Sequence, residues 1–109
     1  LTQAPDRGDL VYLNFNPQSG HEQAGRRPGI VLSPKEFNEI TRFALICPIT
    51  NTVKGWPFEV ELPEGLAIQG AILTDQVKSL DWVSRKIQIK DQAPPEIVTE
   101  CLNKIHTFL

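Results

Sequence analysis

Hydrophobic and polar positions along this chain follow two repeats. Most of it alternates over short runs, the two-residue period of strands, whereas the C-terminal segment repeats every three to four residues, the period of a helix. Leu10 to Phe15 reads as a strand with apolar residues on both faces. A polar run from Asn16 to Arg27 follows, and a connection that long predicts a functional loop rather than a tight hairpin turn. Pro28 to Leu32 is a second strand ending at Ser33-Pro34. Ser33 as cap and Pro34 as first position predict a short helix from Lys35 to Arg42. Phe43 to Ile49 reads as the central strand, and Thr50 to Gly55 as a loop. Pro57 to Leu62 alternates with one wet face, and Pro63-Glu64-Gly65 is a turn. Ala71 to Thr74 and Val77 to Leu80 are short strands flanking Asp75-Gln76, and Lys86 to Lys90 alternates through Ile87 and Ile89. Pro94-Pro95-Glu96 starts a helix whose apolar face carries Ile97, Val98, Cys101, Leu102, Ile105 and Leu109. The pattern predicts a mainly β fold with some helix: a small antiparallel β-barrel or curled sheet, closed by the C-terminal helix.

Length and composition narrow the class. A chain of 109 residues is one domain, spanning 1–109. With 40% hydrophobic and 22% charged residues it is globular. No apolar run approaches the roughly 20 residues of a membrane helix. The first residues, Leu1 to Asp6, lack the basic and apolar parts of a signal peptide, so no membrane role and a cytoplasmic location are expected. Cys47 and Cys101 lie in apolar surroundings and predict two buried free thiols. His21 and His106 are far apart in sequence and no metal-ligand spacing appears, so any enzyme here is expected to use no metal or other cofactor. The net charge of −2 argues against a non-specific DNA coater, while a local basic patch remains enough for RNA.

Metal-free RNA cleavage needs a base for the 2′-hydroxyl, fixed positive charge for the phosphorane, and an acid for the departing 5′-oxygen. The polar loop concentrates His21, Glu22, Arg26 and Arg27. Arginine holds phosphate oxygens in a fork, and Glu22 is either a base or the group that orients Arg27. Taken alone, such residues in a loop are ordinarily solvated charges. Thr50 ends the apolar strand, where its hydroxyl is either rigidly presented or merely that of a good β-former. Asp75 to Ser79 carries polar groups suited to RNA or to turn hydrogen bonds. Trp56, Phe58 and Trp82 are possible stacking platforms for bases, with core or interface packing an equal reading for Phe58 and Trp82. His106, near the helix end, reads as a surface or capping residue.

Taken in order, these segments resemble the MazF/PemK family of toxin ribonucleases, over nearly the whole chain from Arg7. The residues that carry the resemblance are Gly8-Asp9-Leu10-Val11 with Asn16-Pro17, Gly20 to Ser33, Cys47-Pro48-Ile49-Thr50, Gly55 to Val60, and Asp75 to Trp82. The resemblance implies an SH3-like barrel with a C-terminal helix, a homodimer, and metal-independent cleavage of single-stranded RNA, mainly messenger RNA, at short specific sequences. The products would carry 2′,3′-cyclic phosphate and 5′-hydroxyl ends. It also implies a cognate, MazE-like antitoxin that lays an acidic segment over the dimer. The family's essential arginine falls on Arg27, its essential threonine on Thr50, and the loop glutamate on Glu22. Arg27 would stabilise the phosphorane, Thr50 would hydrogen-bond the scissile phosphate, and Glu22, then His21, are the candidate proton acceptors. His21, Gln23, Arg26, Asn51, Lys54, Asp75, Gln76 and Lys78 are the expected RNA-binding residues.

Two non-catalytic readings stand beside this one. A gyrase-poisoning toxin of the same fold depends on a Trp-Gly-Ile C-terminus, whereas this chain ends His106-Thr107-Phe108-Leu109. A silent RNA- or antitoxin-binding module would have no need of Arg27 and Thr50 together.

Overall fold

The structure is a computed structural model that describes residues 3–15 and 25–109. In chain order it holds β1 (Asp9–Asn14), β2 (Arg26–Val31), α1 (Lys35–Thr41), β3 (Phe43–Thr50), β4 (Glu59–Glu61), β5 (Ala71–Leu73), a 3₁₀ turn (Thr74–Gln76), β6 (Lys78–Asp81), β7 (Gln88–Gln92) and α2 (Pro95–Ile105). Every strand pairing is antiparallel. The strand order is β4-β5-β3-β2-β1-β7, with β6 also on β3. Strand β3 changes partner along its length: Phe43 to Ile46 pair with β6, and Ile49 and Thr50 pair with β5. This switch bends the sheet. The outer strands β4 and β7 do not pair with each other among the described residues, so the sheet is curled and the barrel is not closed.

Period-two alternation explains why β1 is apolar on both faces: both are buried. Leu10, Ile30, Cys47, Ile49 and Ile72 face one way and pack with Ile97, Val98, Cys101 and Ile105 of α2. Val11, Leu13, Val31, Ala44, Ile46, Leu80, Trp82 and Ile87 form a second cluster. The expected apolar face of α2 is therefore the one that packs, except that Leu109 lies beyond the helix and is 83% exposed.

Four local expectations are corrected. Ser33 does not cap α1, which has Pro34 at its N-cap. The Ser33 hydroxyl is instead spent on Asn38 Oδ1 at 2.6 Å, and its oxygen accepts from the Leu45 N–H at 2.9 Å. Asp6 Oδ1 takes the Lys35 N–H at 2.9 Å in its place. Fully buried Asn38 also donates to the carbonyls of Pro5 and Ser33, and its own carbonyl accepts from Trp82 Nε1 at 2.9 Å. Trp82 is thus a core residue, which removes it as a stacking platform. The last strand starts at Gln88 rather than Lys86. Asp81 Oδ1 accepts from the Val83 and Ser84 N–H groups, and the following turn puts Lys86 at φ 53° before pairing begins. Strand β4 starts at Glu59 rather than Pro57, because Glu59 Oε1 holds the Lys54 and Gly55 N–H groups in the preceding loop.

Gly70 allows β5 to close on the end of β3. Its φ is +122°, and a Cβ there would lie 2.2 Å from the Thr50 carbonyl oxygen. Gly70→Ala combines left-handed strain with a backbone overlap and is expected to cost at least about 2 kcal/mol, read by urea unfolding. An unchanged midpoint would show that this approach carries no strain.

Both cysteines are buried and free. Burial, then the charge of the Cys101 thiolate, pushes the Cys47 thiol from 9.0 up to about 12; burial, then Glu100, does the same for Cys101. A folded-state value above the unfolded one stabilises the fold below pH 9.0, and that contribution is lost as pH rises towards 12. Native protein at neutral pH should therefore resist iodoacetamide until unfolded, and stability should fall through this alkaline window. Rapid labelling of the native state would contradict the burial.

Candidate active site

The site forms where the β2–β3 ladder ends. Its pairs are Val31 with Ile46, Ile30 with Cys47, and Gly29 with Pro48. Gly29 permits a close approach: a Cβ there would lie 2.8 Å from Ile46 Cγ2 and 3.0 Å from the Cys47 carbonyl oxygen. Beyond this pinch the same register would set Pro28 opposite Ile49 and Arg27 opposite Thr50, but the pairing does not continue. Pro28, whose nitrogen would face β3, has no N–H to extend it. The strands part, and a cleft of about 890 Å³ opens between them.

Arg27, Thr50, Asn51, Gln76 and Lys78 all line this cleft, together with Phe15, Arg26, Pro28, Pro48, Ile49, Thr52 and Leu73. Arg27 is exposed, and no hydrogen-bond partner holds it among the described residues. Thr50 is half-buried; its Oγ1 accepts from the Thr52 N–H at 3.1 Å, which leaves the hydroxyl proton for a ligand. Lys78 pairs with Ile46 in the ladder, on the sheet face shared with Pro48 and Thr50. Gln76 ends the 3₁₀ turn, which is anchored by fully buried Thr74: its N–H and Oγ1 both donate to the Phe58 carbonyl, at 3.2 and 2.6 Å. Among the described residues the lining holds the cations Arg26, Arg27 and Lys78 and no carboxylate, so an acidic protein presents a cationic hollow at this point.

Other expected site residues stand apart. Arg26 lines the cleft, but its guanidinium donates to Tyr12, Asn14, Lys86 and Gln88. Lys54 sits 4.7 Å over the exposed Trp56 ring and Asp75 is exposed; neither lines the cleft. The charge of Asp75 contributes to raising the Cys47 thiol. Phe58 packs edge-on against Phe108 with centroids 5.8 Å apart, and His106 is the exposed C-cap of α2. His21, Glu22 and Gln23 lie outside the described residues. Sequence reasoning missed Phe15, Pro48 and Thr52 as lining residues. Pro28 was the available signal, since it stops the ladder on the side where a donor is needed. Among the described residues no three His, Cys, Asp or Glu side chains gather as a metal site would require, and no helix is long and apolar enough to cross a membrane.

Residues 6–109 match the family model described as PemK-like, MazF-like toxin of type II toxin-antitoxin system. The chain is 43% identical over 105 residues to the endoribonuclease toxin MazF of Escherichia coli K12, covering 96% of this chain and 94% of that protein. It is 31% identical to the Escherichia coli endoribonuclease PemK, covering 95% and 81% of the two chains. Among solved structures it is similar to MazF of Deinococcus radiodurans, with a TM-score of 0.88, 46% identity, and 97% and 96% of the two chains covered. A MazE–MazF complex from the same organism matches with a TM-score of 0.87 at 40% identity, covering 97% and 95%. A match along nearly the whole chain, with the mainly β architecture in common, shows that this protein belongs to the PemK-like, MazF-like toxins of type II toxin-antitoxin systems.

Proposed function

We propose that this protein is a sequence-specific, metal-independent endoribonuclease of single-stranded messenger RNA, acting in the cytoplasm to stop translation and growth. The observation that carries the reading is that Arg27 and Thr50 both line the cleft at the parted end of the β2–β3 ladder, whose charged lining among the described residues is cationic. Such a lining suits a phosphodiester. The 2′-oxygen attacks phosphorus and the bond to the 5′-oxygen breaks, giving a 2′,3′-cyclic phosphate and a 5′-hydroxyl. Arg27 lays fixed charge on the phosphorane, and Thr50 donates its hydroxyl to a phosphate oxygen. Glu22, with His21 as second candidate, takes the 2′-hydroxyl proton, and the departing 5′-oxygen takes a proton from the Arg27 guanidinium, which solvent restores. Lys78 contacts a neighbouring phosphate, while Asn51 and Gln76 offer amides to base edges.

The wild type in EDTA should cut a long mixed-sequence single-stranded RNA at discrete sites with those two end groups. Arg27→Ala should lower the cleavage rate by at least about 100-fold, the scale of losing one preorganised donor, while keeping the wild-type unfolding midpoint. Cleavage that returns only with Mg²⁺, or an Arg27→Ala variant as fast as wild type, would overturn the assignment.

The toxin is further read as a homodimer that a cognate MazE-like antitoxin covers. Phe37, Ile40, Phe43 and Leu45 of α1 and β3 are 40–83% exposed, an apolar surface suited to a protein partner. Sedimentation of the antitoxin-free protein at micromolar concentration should give a dimer; a monomer alone would refute that part.

A further inference from the structure

Two adjacent arginines open β2, and alternation along the strand sends them to opposite faces of the sheet. Arg27 shares the face of Leu13, its ladder partner, and Arg26 shares that of Asn14 and Tyr12. The Arg26 guanidinium donates to four acceptors. Nη1 reaches Asn14 Oδ1 at 3.4 Å. Nη2 reaches the Tyr12 carbonyl at 3.3 Å, the Lys86 carbonyl at 3.0 Å and Gln88 Oε1 at 3.0 Å. One side chain of β2 thus ties β1 to the start of β7.

This tie acts where the sheet is weakest. Residues 26–28 have β1 as a ladder partner but have lost β3, which pairs with β2 only as far as Gly29. The same end of β1 is gripped by Arg85, whose Nη1 donates to the Asn14 and Phe15 carbonyls at 3.0 and 2.6 Å. The Phe15 N–H in turn reaches the Gly25 carbonyl at 3.0 Å, immediately before β2.

We infer that Arg26 is a positioning residue: its fork across β1 and β7 holds the one-sided start of β2 and so sets Arg27 at the cleft, rather than binding RNA phosphate itself. The inference rests on the nuclease reading for its kinetic consequence. It assigns the two arginines different work, Arg27 towards substrate and Arg26 towards backbone carbonyls. Lysine cannot reproduce a planar fork that serves several acceptors at once.

The test compares wild type, Arg26→Gln, Arg26→Lys, Gln88→Ala and Gln88→Glu. Single-turnover cleavage is read beside binding of an RNA oligonucleotide made uncleavable by a 2′-deoxy substitution, over a range of salt. Positioning predicts that Arg26→Gln and Arg26→Lys cut at least about tenfold more slowly, a loss of alignment at the reacting centre, with KM and the salt slope of binding unchanged. Backbone hydrogen exchange at Arg27 should speed up. Gln88→Ala should lie between, and Gln88→Glu, which keeps the acceptor, should retain wild-type behaviour. A phosphate contact instead predicts that Arg26→Gln weakens binding and lowers the magnitude of the salt slope by about 0.7 with normal exchange at Arg27, which would overturn the inference. Wild-type rate, slope and exchange in Arg26→Gln would also overturn it. Should Arg26 variants fail to fold, the Gln88 pair decides the matter: equal exchange at Arg27 in Gln88→Ala and Gln88→Glu would contradict it. An inactive wild type defeats the nuclease reading, while exchange at Arg27 still reports whether Arg26 holds it.

Discussion

The close approach of β2 to β3 at Gly29 and Pro48 is the constraint on which the site depends. Two strands can cross this closely only where one carries no Cβ, because Ile46 and the Cys47 carbonyl occupy the space that a side chain would need. The contact fixes the register, and the register decides which residues would face each other next. Pro28 then denies the ladder its next donor, the pairing stops, and Arg27 and Thr50 both line the cleft that opens there. A hollow with its cation on one wall and its hydroxyl on the other follows from that interruption.

The remaining elements hold the two walls in place. On the Thr50 side, β5 closes against the backbone through Gly70, and the buried Thr74 anchors the turn that presents Gln76. On the Arg27 side β1 is the remaining ladder partner, and side-chain forks reinforce it. Arg26 and Arg85 supply hydrogen bonds to carbonyls at the end of β1. Farther away, Asn38 joins α1 to the N-terminal segment and to Trp82, so the second core cluster is closed by a polar hub whose hydrogen bonds are satisfied.

Much of this was legible in the sequence because it depends on local period. The alternation in β1, the apolar run of β3 and the three-to-four spacing of α2 each appear as read, and Arg27, Thr50, Asn51, Gln76 and Lys78 meet in one cleft. What failed to show depends on contacts between distant residues. Ser33 has the composition of a cap, yet its hydroxyl donates to Asn38 and accepts from the Leu45 N–H instead. Lys86 and Ile87 alternate like a strand, yet the Asp81 turn delays pairing by two residues. Trp82 and Trp56 are the same residue type in the text, and only tertiary structure makes one a buried donor and the other an exposed ring. The barrel stays open for a similar reason: the partner switch along β3 is a property of the whole sheet. Arg26 and Arg27 likewise read as one basic pair until the strand separates them onto two faces.

The most direct measurement is a crystal structure of the protein with a target RNA oligonucleotide, carrying a 2′-deoxy substitution at the nucleotide 5′ of the cut to prevent attack. The scissile phosphate should lie between the Arg27 guanidinium and the Thr50 hydroxyl, within hydrogen-bond distance of both. RNA bound on another face, with the gap between Arg27 and Thr50 occupied by water alone, would contradict the assignment of this cleft as the active site.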